Sequence, residues 1–332
     1  MRFLFIVPDL VSGPRRRVHE EIQRRPILAN NPFIRRFLTH PHLYTHVVWG
    51  GTLNLFRHAE VARKLGAEVA MLSPTGKDTY GKQWGLYDFD FIGWNDRRPD
   101  DVVLVPDFAS DLVDDIEQRL VVYQQVPIHL YPNFDYKDAR IAMWTDSPFM
   151  LDKCQAVFPG KDIPIVPNIV DSTMFPYIPQ AEREAGLVFA FPRKGPEYIA
   201  ETRRAYRELG GRYWHFELID GIPIKELAKQ FRRPQAFLAS ADVEGCALPP
   251  QESMAGGAIV VGKNARGANF AMEHKQTAMI GDTPMQAAQS LRDLEDDALR
   301  DAISDRAHTW ISRYFPENAP TEFWRDNLKT YS

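Results

Sequence analysis

The segment 234–263, PQAFLASADVEGCALPPQESMAGGAIVVGK, decides the fold. Ala236 to Ala239 form a short apolar run suited to a buried parallel strand, and Ala258 to Val261 form a second with the β-branched residues strands favour. Between them a helix is expected. Pro249 and Pro250 suit its first turn and Gly256 and Gly257 its end. The loop then sits at a strand's carboxyl end, with Glu244 before the turn and Glu252, eight positions on, in the helix's first turn. In an open α/β sheet the crevice at such strand ends is where ligands bind, and free amides at a helix start favour anions such as phosphate. A purely structural reading also exists: Glu252 complements the helix dipole, Glu244 is a solvated loop charge and the glycines punctuate.

The residues carry a resemblance. Glu244-Gly245, Leu248-Pro249, Glu252 and Met254-Ala255 resemble the E-x7-E signature of retaining GT-B glycosyltransferases, above all glycosyltransferase family 4. Cys246 and Ala247 stand where that family usually has an aromatic and a glycine, and Ser253 replaces an alanine. The resemblance implies an α/β chain of GT-B type, two Rossmann-like domains facing across a cleft, with donor mostly on the second and acceptor mostly on the first. It implies that Glu252 accepts hydrogen bonds from ribose hydroxyls, that Glu244 orients the transferred sugar, and that Gly245 and Leu248 belong to the donor loop.

At 332 residues the chain is long enough for two domains of about 150 residues each. A hydrophobic content of 44% with 25% charged residues describes an ordinary globular protein, and a net charge of −4 gives no global argument for nucleic acid. Two cysteines, Cys154 and Cys246, make neither a disulfide framework nor a metal cluster, so both are expected as thiols and the chain as cytoplasmic. The opening MRFLFIVP is too short for a membrane span and reads as a first buried strand.

That strand, Phe3 to Val7, is followed by a basic excursion over 11–46 with Arg15, Arg16, Arg17, Arg24, Arg25, Arg35 and Arg36 and the interleaved Phe33 and Phe37. It reads as a solvated helical stretch; the other reading gives residues 14–46 to an acceptor or to the inner face of a membrane. Next comes Gly50-Gly51 before an amphipathic helix with Leu55, Ala59, Ala62 and Leu65 on one face. This resembles the family's amino-terminal glycine pair, which lets backbone amides approach the donor diphosphate. Tyr80, Trp84, Tyr87, Phe89, Phe91 and Trp94 suit a covering for a sheet edge or the faces of sugars. Asp88-Phe89-Asp90 has the form of a metal-binding D-x-D, but two carboxylates two apart on an extended strand share a face by periodicity alone. The strands Val102 to Val105 and Leu120 to Tyr123 should end at the cleft. Relatives often carry histidine at such ends, whereas this chain has Leu104, Pro106, Gln124 and Gln125. The run YQQVPIHLYP is similar to a branch that includes rhamnosyltransferases, which motivates a deoxy-hexose walled by Leu104 and Cys246 and places Gln125 at the donor.

Residues 163–175 resemble the family's P-N-G-V-D-x-x-x-F element through Pro167, Asn168, Val170, Asp171 and Phe175, with Ile169 for glycine, and mark the domain junction. The expected division is 1–165, 166–307, and terminal helices 308–332 returning to the first domain on Trp310, Ile311, Tyr314, Phe315, Phe323 and Trp324. Arg193 and Lys194, at another strand's end, are implied to hold the diphosphate as it gains charge. Asp220 and Ile222, on the turn after strand 215–219, are implied to lie beside the base. The expected function is a retaining hexosyl or deoxyhexosyl transfer from a nucleotide-diphosphate-sugar to a glycan, lipid-linked or other hydroxyl acceptor, in cell-surface polysaccharide synthesis. Neither metal nor cofactor is expected, and the resemblance implies that the leaving phosphate assists acceptor deprotonation. The competing readings are a GT-B sugar-nucleotide epimerase and a catalytically silent glycan- or nucleotide-binding protein.

Overall fold

The computed structural model describes residues 1–11, 21–22, 24–29, 31, 43–81, 87–131 and 133–331. Arg15 to Arg17, Phe33, Arg35 to Phe37 and Trp84 lie outside the described residues, and with them most of the basic stretch assigned to an acceptor or membrane surface. Arg24 and Arg25 each pair with the exposed Glu21, at 3.4 and 3.5 Å. No helix among the described residues is long and apolar enough to cross a membrane.

Two compact units divide the chain: Met1–Val166 with Pro320–Ser332, and Pro167–Ala319. In the first, β1 (Arg2–Ile6), β4 (Glu68–Leu72), β5 (Phe91–Ile92), β6 (Val102–Pro106), β7 (Arg119–Gln124) and β8 (Ile141–Thr145) form one parallel sheet in the order β5-β4-β1-β6-β7-β8. The short β2 (Asp9–Leu10) and β3 (Tyr44–Thr45) pair separately. Counted along the main sheet this is the 3-2-1-4-5-6 order of a dinucleotide-type domain. The central strands RFLFI and VVLVP are buried throughout, as parallel strands covered on both faces must be. Alternation sorts the faces: Leu4, Ile6, Val103, Val105, Leu120 and Val122 enter one core. Phe3, Phe5, Val102, Leu104, Val121 and Tyr123 enter the other, under α1 (Gly50–Lys64). On α1, Leu55, Phe56, Ala59 and Ala62 are buried. Phe56 gathers Tyr80, Tyr87, Phe89 and Phe91 within 6.5 Å, so these rings cover the sheet edge. The helix α2 (Pro148–Val157) starts on Ser147, whose hydroxyl accepts from Met150 N.

The second unit repeats the layering. Its parallel sheet of β9 (Glu184–Ala190), β10 (His215–Leu218), β11 (Pro234–Ala239), β12 (Ile259–Gly262) and β13 (Met279–Ile280) has the order β10-β9-β11-β12-β13. Its helices are α3 (Pro196–Glu208), α4 (Ile224–Gln230), α5 (Leu248–Gly256), α6 (Pro284–Asp293) and α7 (Asp297–Tyr314). Two helices follow β13. α6 stops after Asp293, and Asp296 starts α7 by accepting from Leu299 N at 2.8 Å. Val188, Ala190, Ala236 and Leu238 share a core with α3 and α6. Phe189, Phe191 and Phe237 point the other way, onto Phe231 at the end of α4.

α8 (Ala319–Tyr331) returns to the first unit, where Trp324 is fully buried between Phe3, Phe5 and Trp144, and its indole N–H donates to His58 Nδ1 at 3.0 Å. Residues 308–319 stay with the second unit, unlike the expected boundary at 308. The reason is that α7 runs on unbroken to Tyr314, and Tyr314 and Phe315 pack on Phe270 of that same unit.

Candidate functional site

In the second unit's own chain order the sheet reads 2-1-3-4-5, so the order reverses between β9 and β11. Helices leave to opposite sides there, which opens the crevice where such sheets bind ligands. Both flanking loops carry the sequence-predicted residues. Lys194, after β9, and Glu244, after β11, meet across the switch point with Nζ and Oε1 2.5 Å apart. Arg193 reaches the other way, to Asp220 on the turn after β10, at 2.9 Å. The cations expected on a diphosphate are thus each held by a carboxylate, the lysine on a side chain 58% exposed. Close approach of the two loops depends on Gly195, the residue before α3, which has φ +82°. A Cβ there would stand 2.4 Å from the Ser240 carbonyl oxygen. Ser240 in turn donates its hydroxyl to the Lys194 carbonyl. Ile222, on the same turn as Asp220, is half-buried.

The helix of the E-x7-E segment departs from expectation. It opens at Leu248, so Glu252 is its fifth residue, past the first turn, and the helix-dipole reading of that carboxylate loses its basis. The prolines at 249 and 250 leave only Leu248 and Gln251 with an N–H among the first four residues, so α5 offers half the amides an anion would find at an ordinary helix start. Both carboxylates are buried, Glu244 at 8% exposure and Glu252 at 2%. The loop between them, including Gly245, is pinned by residues the sequence reading left at the domain junction or unassigned. Buried Asn168 donates to the Cys246 carbonyl at 2.9 Å and to Gln251 Oε1 at 3.3 Å, while Gln251 Nε2 donates to Cys246 Sγ at 2.8 Å. Spacing to the Pro167-Asn168 element hinted only at a junction. Its amide is in fact the brace of the loop between the two glutamates.

In the first unit, Gly50 and Gly51 open α1, preceded by Trp49, which gives no side-chain cap. Gly51 is a glycine for a local reason: a Cβ would sit 2.9 Å from Gln125 Oε1, and Gln125 Nε2 donates to the Gly51 carbonyl at 3.4 Å. The main chain of Gln125 is held too, because buried Asp107 accepts from Gln125 N at 2.9 Å and Val126 N at 2.8 Å. Two expectations fail here. Gln124 is fully buried on the face of Leu120 and Val122, where neither side-chain polar atom finds a partner among the described residues. Leu104 is the third residue of β6 and packs in the core with Phe3 and Phe5, so it supplies no wall for a sugar methyl. Asp88 and Asp90 are exposed and precede β5, and the Asp90 carbonyl accepts from Met71 N within β4.

Among solved structures, the chain is similar to sucrose-phosphate synthase (tll1590) from Thermosynechococcus elongatus, with 11% identity and a TM-score of 0.62 over 99% of this chain and 98% of that one. A glycosyltransferase from Rickettsia africae ESF-5 matches at 12% identity and a TM-score of 0.62, over 99% and 97%. The fold is GT-B. The pneumococcal O-GlcNAc transferase GtfA, in complex with UDP and GlcNAc, matches at 12% identity and a TM-score of 0.56 over 70% of this chain, which spans 57% of that protein's length. No protein-family model and no curated protein matches the sequence. At these identities the likeness to GT-B structures is one of fold, and the chemistry has to be argued from the site.

Proposed function

We propose that the chain is a glycosyltransferase that moves a sugar from a nucleoside-diphosphate sugar to a hydroxyl of a glycan or lipid-linked acceptor. The observation that carries this reading is the Lys194–Glu244 pair at the switch point, with buried Glu252 eight residues further along the same loop and helix. Glu252 accepts hydrogen bonds from the ribose, Gly245 and Leu248 wall the donor, and Asp220 and Ile222 flank the base. Lys194 and Arg193 exchange their carboxylate partners for the diphosphate, and Lys194 stabilises the charge that grows on it as the glycosidic bond breaks. Once released, Glu244 is free to orient the sugar. With two side-chain cations in these roles, no resident metal or cofactor is required.

The E-x7-E spacing supports the finer assignment to a retaining enzyme of family 4 type, working in cell-surface polysaccharide synthesis. UDP-sugars are the first donors to test: the pneumococcal neighbour was crystallised with UDP, and the DNA-modifying β-glucosyltransferase that also matches was studied with uridine diphosphoglucose. The test is a panel of UDP-, GDP-, dTDP- and ADP-sugars incubated with hydroxyl acceptors, with and without chelator, reading released nucleoside diphosphate and the glycosylated product. Acceptor-dependent release with one nucleotide preferred, insensitive to chelator, is expected. Conversion of the donor without acceptor would mark a sugar-nucleotide epimerase, and nucleotide binding without turnover a silent binding protein.

A further inference from the structure

We propose that Arg266 reads a carboxylate on the donor sugar, so that the sugar transferred is a uronic acid. The inference rests on the transferase reading above and names the sugar which that reading leaves open, at a residue of the second unit alone.

Arg266 stands on the loop after β12, at the same carboxyl edge as Lys194 and Glu244. Two contacts tie this loop to the one that carries Glu244: Lys263 N donates to the Ala239 carbonyl at 2.9 Å, and Lys263 Nζ lies 2.6 Å from Asp242 Oδ1. The same ammonium stands 4.5 Å from the centre of the Tyr198 ring on α3. The backbone then turns left-handed through Ala265, Arg266 and Gly267, at φ +52°, +58° and +96°. Two of these residues carry a Cβ, which makes the conformation costly. Asn264 holds it in place: its carbonyl accepts from Gly267 N at 3.1 Å and from Asn269 N at 3.0 Å, and its Oδ1 from Gly267 N at 3.2 Å. Strain over-determined by its surroundings in this way is characteristic of ligand clamps. Arg193, Lys194 and Lys263 each face a carboxylate, whereas exposed Arg266 faces none among the described residues.

Strand order decides which part of the donor this cation meets. Under the proposed function the donor lies along the edge in the order of the strands: base by Asp220 after β10, diphosphate by Arg193 and Lys194 after β9, sugar by Glu244 after β11. The next strand is β12, about 4.8 Å further on, so its loop approaches the sugar from the side away from the diphosphate. There the carboxylate at C6 of a uronic acid matches the guanidinium fork with two parallel, charge-assisted hydrogen bonds. A deoxy-hexose, the sugar the sequence suggests, offers only a methyl at that carbon and leaves the cation without a partner. Lys263 neutralises Asp242, which would otherwise repel the incoming carboxylate, and Glu244 is left to the sugar's hydroxyls.

The experiment takes the nucleotide that the full chain binds best and compares donors that differ only at C6: its glucose, galactose and mannose forms against the glucuronic, galacturonic and mannuronic forms. Donor Kd and kcat/KM for transfer are measured for wild type, Arg266→Asn and Arg266→Lys, with melting temperature as the control for folding. Asparagine accepts a left-handed backbone, so Arg266→Asn removes the guanidinium without adding strain. A charge-assisted pair of this kind is worth about tenfold or more in Kd. Expected is a wild-type preference of that size for one acidic donor over its neutral counterpart. Arg266→Asn loses the preference and Arg266→Lys keeps only part of it, while the affinity of Arg266→Asn for the free nucleoside diphosphate stays at the wild-type value. Preference of the wild type for a neutral donor would overturn the proposal and leave the transferase reading standing. So would an Arg266→Asn protein that loses as much affinity for the free nucleoside diphosphate as for the acidic donor, since the cation then serves the diphosphate. Absence of nucleotide binding and of transfer by the wild type with every donor would overturn both.

Discussion

Asn168 gives the sharpest structural test of how the loop between Glu244 and Glu252 is held. Its amide donates two buried hydrogen bonds, to the Cys246 carbonyl at 2.9 Å and to Gln251 Oε1 at 3.3 Å. Asn168→Ala removes both donors while leaving Glu244 and Glu252 in the sequence. A buried acceptor left without its donor costs about 1–3 kcal/mol, so the pair sums to roughly 2–4 kcal/mol after some relaxation. Against a total stability of about 5–15 kcal/mol this is large. Urea unfolding of wild type and variant should show the midpoint falling with an unchanged slope. Nucleotide affinity should fall by about tenfold, the equivalent of about 1.4 kcal/mol, because the loop between the two glutamates loses its brace. Asn168→Asp should be at least as damaging: a carboxylate cannot donate and would face two oxygens, while Gln251 Nε2 is already engaged by Cys246 Sγ. An Asn168→Ala protein within about 0.5 kcal/mol of wild type, binding nucleotide equally well, would refute the bracing role.

Trp324→Ala should destabilise the first unit by about 3–5 kcal/mol, because it empties a fully buried site among Phe3, Phe5 and Trp144 and removes the donor to His58. At about 2–4 °C per kcal/mol, calorimetry should show that unit's transition falling by roughly 10 °C. Burial raises the Cys154 thiol from the ordinary 9.0 to about 12. An acid raised this far leaves about one thiolate in 10⁴ at pH 8, against about one in ten for an ordinary cysteine, so mass spectrometry after alkylation should find Cys154 unmodified until urea is added.

The strand-loop-helix-strand of 234–263 was legible because each signal was local: an apolar run, a double proline, a double glycine. The same holds for the carboxyl-edge placement of Lys194 and Glu244, which follows from strand ends alone. Long-range events were not legible. That Lys194 pairs with Glu244, and Arg193 with Asp220, depends on β9 lying between β10 and β11, an order no local pattern encodes. Asn168 reads as a turn residue until the fold lays it under Cys246. Leu104 and Gln124 read as strand-end residues in the sequence but lie inside the strands. β6 and β7 run one residue further than expected, to Pro106 and Gln124, and strand alternation turns both side chains into the cores. α5 opens one position earlier than the prolines suggest, at Leu248, which carries no signature of a helix start, and that single residue moves Glu252 out of the first turn.

The central claim, that the carboxyl edge of the second unit holds a nucleoside diphosphate through Glu252 and Lys194, is tested most directly by calorimetric titration of nucleoside diphosphates into wild type, Glu252→Ala and Lys194→Met, without divalent metal. Each side chain supplies a charge-assisted hydrogen bond worth about 1.5–3 kcal/mol, which is a tenfold or greater change in Kd. The predicted result is binding by wild type, at least tenfold weaker binding by both folded variants, and a Lys194→Met loss seen with the diphosphate and not the monophosphate. Equal affinity in all three proteins, or no binding of any nucleotide by the wild type, would contradict it.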